Sequence, residues 1–196
     1  YKGIDALNRK KILAGQLFIT NNEPILESGQ TKKHFTSIDK LTAKISADHK
    51  NAFLYFARSA DDYAVKDLNR TKEDLDSTIS LNPSFYPAYF MRASVRSYLQ
   101  DVMMSETSSS DKKLTSKDLQ LNYMMNKDDL DKAIALAPDF AYAYFNRGCL
   151  FASVKDYESA AQDFSKAITL NPDLAEAYYN RGLVELFSGN RQAGNM

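Results

Sequence analysis

The chain is poor in the residues that usually announce chemistry. It has one cysteine, Cys149, among 196 residues, which rules out an internal disulfide framework. Inside a helix and with no neighbouring histidine, that cysteine reads as a buried structural residue. There are two histidines, His34 and His49, fifteen residues apart. Without a nearby Cys or carboxylate ligand pattern they make a poor metal site. None of the seven glycines builds a phosphate-cradling loop, and H-E-x-x-H, C-x₂-C and G-x-S-x-G are all missing. No run approaches eighteen apolar residues, so no segment reads as a membrane-spanning helix. Neither sign of charge is in excess, with 25 basic and 25 acidic residues. That balance argues against a general nucleic-acid binder, which needs a basic surface. The acid pairs Asp61–Asp62 and Asp128–Asp129 fall on probable helix surfaces. Adjacent helical residues do not face each other, so these pairs are expected to be solvated. No catalytic residue, metal ligand or cofactor is assigned, and an enzyme is not expected. The chain opens at Tyr1 without a charged and apolar leader, and reads as a fragment or a mature product.

What is present is a periodicity. "FNRGCLFASV" starts at Phe145 and "YNRGLVELFS" starts thirty-four residues later at Tyr179. Between Ala141 and Leu174, Tyr144, Arg147, Gly148, Phe151, Ala160, Phe164, Ala167 and Pro172 fall at offsets 0, 3, 4, 7, 16, 20, 23 and 28. Tyr144, Gly148 and Phe151 share one face of a first helix, and Ala160, Phe164 and Ala167 share one face of a second. Small residues at Gly148 and Ala160 let the two helices approach. Asp156 can cap the second helix, and Pro172 stops it.

The same register is legible elsewhere. Tyr55, Arg58, Ser59, Thr71, Leu75, Thr78 and Pro83 keep it over 52–85. Tyr89, Arg92, Ala93, Asn126, Leu130, Ala133 and Pro138 keep it over 86–140, once twenty-one extra residues before Asn126 are set aside. Tyr178, Arg181 and Gly182 open a further unit, 175–196. Arg58, Arg92, Arg147 and Arg181 hold one slot, and Asp74, Asp129 and Asp163 another. Each Arg is expected to reach such an Asp.

This spacing resembles the tetratricopeptide repeat, W-x₂-L-G-x₂-Y…A-x₃-F…P, with Tyr in place of Trp and Arg in place of Leu. The resemblance implies an all-α fold, a right-handed solenoid of antiparallel helix pairs.

Three regions depart from the repeat. In the irregular segment 1–30, "DALNRKKIL" suggests a short helix, "QLFIT" an extended piece and "NNEPILESGQ" a loop. Over 31–51, Phe35, Ile38, Leu41 and Ile45 mark a lead-in helix that would cover the end of the stack. The insertion, roughly 99–125, is expected to lengthen both helices of its unit around a polar loop, "SETSSSDKK". Met103, Met104, Met124 and Met125 are then expected to pack against each other inside the hairpin, with a partner-docking knob as the alternative. The helix from Ala175 to Phe187 lacks its second helix, so the natural chain is expected to continue.

In tetratricopeptide arrays, partners usually bind a groove lined by the first helices. Carried over slot by slot, the resemblance places Phe56, Phe90, Phe145 and Tyr179 after the signature Tyr. Met91, Asn146 and Asn180 come next, and Tyr142 stands two positions before Tyr144. Members that grip chaperone C-terminal carboxylates carry Lys or Arg in these slots, and this chain does not. The function implied is a non-catalytic interaction scaffold that binds a peptide or protein segment. The alternative is a cell-envelope protein holding a glycan or other small ligand on the same aromatics. A looser resemblance to the C-terminal part of long bacterial tetratricopeptide proteins implies a cell-envelope location, with the cytoplasm as the alternative.

Overall fold

A computed structural model describes residues 28–106 and 114–189. Eight α-helices account for most of them: α1 (Ser28–Ala47), α2 (Ala52–Ala64), α3 (Leu68–Leu81), α4 (Tyr86–Glu106), α5 (Ser116–Leu136), α6 (Ala141–Ser153), α7 (Tyr157–Leu170) and α8 (Ala175–Phe187). No strand occurs among the described residues. The readings of "DALNRKKIL" and "QLFIT" lie outside them. Of "NNEPILESGQ" only the last three residues are described, and they already belong to α1. The lead-in helix therefore starts earlier than the sequence suggests.

Local chemistry sets the helix ends. The Asp67 carboxylate accepts the Arg70 N–H at 3.1 Å, and the Asp156 carboxylate accepts the Ser159 N–H at 3.2 Å. Each satisfies one of the donors left open at a helix N-terminus. Asn51 does the same for the Phe53 N–H. Pro83, Pro138 and Pro172 each follow two residues after the last residue of α3, α5 and α7. The turns joining α2 to α3 and α6 to α7 both read Val-Lys-Asp. Lys66 and Lys155 there share φ 65°, a left-handed conformation that glycine adopts at lower cost.

The described chain forms two compact units, divided between Leu136 and Ala137. In the first, α1 packs on α2, α2 on α3, α3 on α4 and α4 on α5. Leu75, Ala88 and Val95 are its buried centre, with Phe56, Leu68, Ile79, Phe85 and Met91 packed around them. In the second, α6 packs on α7 and α7 on α8. Phe145, Ala152, Ala160, Phe164, Ala167 and Val184 form the centre. A Cβ added at Gly148 would lie 2.8 Å from the Phe164 ring and 3.2 Å from the Ala160 carbonyl. The glycine is therefore required by the approach of α7.

The insertion lengthens both helices of its hairpin. α4 and α5 have 21 residues each, against 13 in α2 and 14 in α3. Eight and seven extra residues correspond to about 12 Å and 10 Å of added helix at about 1.5 Å per residue.

Candidate functional site

The four repeat-register arginines each lie over a tyrosine, and three of them, but not Arg181, are also forked onto the expected aspartate. Arg58 is forked onto Asp74 of the next helix, with Nε–Oδ2 and Nη2–Oδ1 both at 2.7 Å. Arg147 is forked onto Asp163 with both distances 2.8 Å. Arg92 reaches Asp129 across the lengthened hairpin, Nε–Oδ2 2.9 Å. Two parallel charge-assisted bonds fix a guanidinium more firmly than one. Each arginine also lies over the ring of the tyrosine three residues before it, 5.7–5.9 Å from the centroid. Tyr89 and Tyr144 in turn donate to the carbonyls of Pro83 and Pro138, at 3.1 and 3.2 Å.

The remaining guanidinium nitrogen points backwards along the sequence. Arg58 Nη1 donates to Thr42 Oγ1 at 3.0 Å, Arg92 Nη1 to Asp76 Oδ1 at 2.7 Å, and Arg181 Nη1 to Ser165 Oγ at 3.3 Å. Every acceptor stands sixteen residues upstream, on the preceding helix. Burial opposes the charge on Arg92, but the carboxylates of Asp129 and Asp76 outweigh it and hold the group more firmly protonated than usual. Arg181 pairs with Glu185 on its own helix, at 3.8 Å. The repeated geometry makes these arginines struts between helices. They are committed to side chains of the stack.

The slots expected to line a groove divide by burial. Phe145 is fully buried, 5.7 Å from the Phe164 ring, so it belongs to the core of the second unit. Asn180 is also fully buried, and its amide meets Cys149 Sγ at 3.4 Å. Neither is open to a ligand. One residue along a helix is a turn of 100°, and that step carries the slot after Tyr144 from the surface to the partner helix. Tyr142 is exposed, while Asn146 and Tyr179 are half-buried.

In the first unit Phe53 is 60% exposed and stands edge-on to Phe85, 5.3 Å between centroids. Phe56 meets the same ring at 4.9 Å. Ala57 and Ala60 continue the exposed side of α2, and Phe90 and Met91 lie half-buried on α4. The result is an apolar, aromatic face on first helices of the unit. Phe53 and Phe85 share it with the expected residue Phe56, and the expected Met91 packs on the same cluster. Phe85 was not legible from the repeat pattern, because it lies in the turn before α4. An aromatic placed after "LNPS" was its one signal.

Two buried polar side chains occupy a single repeat slot, the one Phe151 fills in the second unit. Asp62, expected on the surface, has a side chain only 1% exposed, and its Oδ2 has no hydrogen-bond partner. Burial pushes its carboxyl up to about 6, against the pull of Arg70, whose Nε lies 3.8 Å away. Arg96 holds the same slot on α4. It bonds Asn126 at 3.0 Å and Asp129 at 3.1 Å, and its Nε has no partner. Asp129 is thus buried between two arginines, whereas Asp128 stays exposed.

The methionines of the insertion do not pack inside the hairpin. Met103, Met104, Met124 and Met125 are 39–54% exposed, and Leu121 is 54% exposed. Both helices rise beyond their neighbours there, so side chains pointing away from the hairpin seam meet water. His34 belongs to neither surface. Its Nδ1 pairs with Asp61 Oδ1 at 2.7 Å, tying α1 to α2. Among the described residues no group of three His, Cys, Asp or Glu side chains is placed to hold a metal ion. No described helix is long and apolar enough to cross a membrane.

The family model of the tetratricopeptide repeat matches residues 141–174. At the level of sequence no curated protein matches the chain. Solved structures similar in fold include MamA, at TM-score 0.69 and 20% identity over 87% of this chain and 90% of that one. A tetratricopeptide repeat protein from Parabacteroides merdae aligns at TM-score 0.63 and 18% identity, over 83% of this chain and 60% of that one. The first tetratricopeptide domain of Spaghetti (RPAP3), bound to the HSP90 peptide SRMEEVD, aligns at TM-score 0.58 and 15% identity over 72% and 96%. The near-consensus unit, the paired helices and the repeated Tyr-Arg-Asp geometry agree with these likenesses. Residues 141–174 match the tetratricopeptide repeat, and the chain has the fold of tetratricopeptide-repeat proteins.

Proposed function

We propose that the chain is a non-catalytic protein-interaction scaffold, and that its first unit takes an extended, apolar peptide segment. The observation that carries this reading is the aromatic face on α2 and the turn before α4: Phe53, 60% exposed, and Phe56 both in edge contact with Phe85, with Met91 packed on the same cluster. Exposed aromatics in a cluster bind apolar side chains at low entropic cost. The fold-level likeness to a domain bound to a peptide supports the same class of ligand. The ligand chemistry differs. An acidic C-terminal tail needs cations, and the slots carried by Phe56, Phe90 and Met91 offer none. Tyr142, Asn146 and Tyr179 are the corresponding face of the second unit.

Selection from a random peptide library tests this. Peptides with two or more apolar side chains should be enriched by the wild-type protein, and binding should fall about tenfold or more in Phe53→Ser and Phe90→Ser. Enrichment of acidic tails, or binding unchanged in both variants, overturns the reading.

A further inference from the structure

The outward side of α5 carries a short apolar stripe that no other described element covers. Leu121 and Met124 are each 54% exposed and Met125 39% exposed. Lys117 precedes them by one turn and Asp128 follows them by one turn, both exposed. Positions 117, 121, 124 and 128 recur at steps of four, three and four, so they form one seam along the helix. The seam is symmetric about a point between Asn122 and Tyr123. Two antiparallel copies centred there bring Leu121 of each against Met124 of the other. Lys117 then meets Asp128 of the second copy at both ends, and Gln120 meets Met125 along the flanks. The same patch answers itself in shape and in charge, which is the requirement of a two-fold interface.

We propose that α5 is a self-association surface, and that its occupant is α5 of a second copy of this chain, paired antiparallel. The seam spans twelve residues, about 16 Å of helix at about 1.5 Å per step. An interface so short falls below the roughly 1,000 Å² of a stable complex, so the dimer is weak. The charged ends select the antiparallel register, since a parallel pair would set Lys117 against Lys117.

Sedimentation equilibrium of the whole chain from about 10 µM to 1 mM, under reducing conditions that exclude a Cys149 disulfide, tests it. A reversible monomer–dimer equilibrium is expected. Lys117→Asp alone and Asp128→Lys alone should each weaken it about tenfold, because each creates two like-charge pairs. The double variant Lys117→Asp with Asp128→Lys should return to within about threefold of wild type. Leu121→Ser should weaken it comparably and without rescue. All four residues are exposed, and circular dichroism checks that each variant remains helical. A monomer at every concentration overturns the proposal. So does a dimer indifferent to the single charge reversals, or one that the double variant fails to restore.

Discussion

The helix pairs α2/α3 and α6/α7 occupy the same repeat slots with opposite chemistry. Where the second has Gly148, Phe151, Ala160, Phe164 and Ala167, the first has Ser59, Asp62, Thr71, Leu75 and Thr78. The first pair buries four polar side chains among those five slots. Three manage it locally. Ser59 donates to the Phe56 carbonyl, Thr71 to the Asp67 carbonyl and Thr78 to the Asp74 carbonyl, each at 2.7 Å. A hydroxyl that bonds its own preceding turn enters a core at small cost. A carboxylate has no such partner, and Asp62 is where the substitution leaves an oxygen unmatched. These slots therefore tolerate polarity wherever a hydrogen bond travels with it.

The comparison can be broken most sharply at Phe164. Truncation to Ala should destabilise the second unit by about 3–5 kcal/mol, the usual cost of deleting a buried aromatic, read from chemical denaturation. Next is the glycine slot. Gly148→Ala should cost about 1–3 kcal/mol, because the added methyl must displace the Phe164 ring or the α7 backbone. Gly182→Ala, at the same slot of α8, meets nothing within 4 Å. It should be neutral or gain up to about 1 kcal/mol in helix propensity. Equal losses at the two glycines would show that the slot is not defined by the helix packed against it.

The third prediction concerns pH. Asp62 titrates at about 6 in the folded chain, above the ordinary 3.8. A raised carboxyl pKa means that the folded state holds its proton longer. Its contribution is therefore complete below pH 3.8 and is lost as the pH rises through about 6. The first unit should be less stable at pH 7 than this residue allows at pH 4, by about 1–3 kcal/mol. Asp62→Asn should remove that slope. Denaturation midpoints of the two proteins that stay parallel from pH 4 to 7 would refute it. Smallest are the turn lysines: Lys66→Gly and Lys155→Gly should each gain about 0.5–1 kcal/mol by relieving the left-handed residue. A loss at either would mean that its side chain contributes more than its backbone costs.

Much of this architecture can be read from the residues because one repeat lies close to the consensus. Residues 141–174 fix the register, and that register carries Arg58 to Asp74 and Arg92 to Asp129 across the insertion. The bounds of α8, Ala175–Phe187, follow from the same spacing. The candidate face was legible only in part. Repeat position says which helix carries Phe145 and Asn180, but not how far a one-residue step turns a side chain towards its neighbour. Aligning Asp62 and Arg96 with Phe151 would have marked them as buried, since that slot holds an aromatic in the unit that fits best. The methionines misled because apolar residues on a paired helix usually face the pair. In a hairpin that outgrows its neighbours, the opposite side has nothing to meet.

The backward reach of the arginines gives the stack a direction. Thr42, Asp76 and Ser165 are each translated sixteen residues before the arginine that binds them. Asp74, Asp129 and Asp163 come at least sixteen residues after it. During synthesis, α2, α4 and α8 each meet an anchor on a helix already made, and for α2 and α4 the second clasp arrives later. Within each unit a finished helix can accordingly serve as the template on which the next arginine-bearing helix is set.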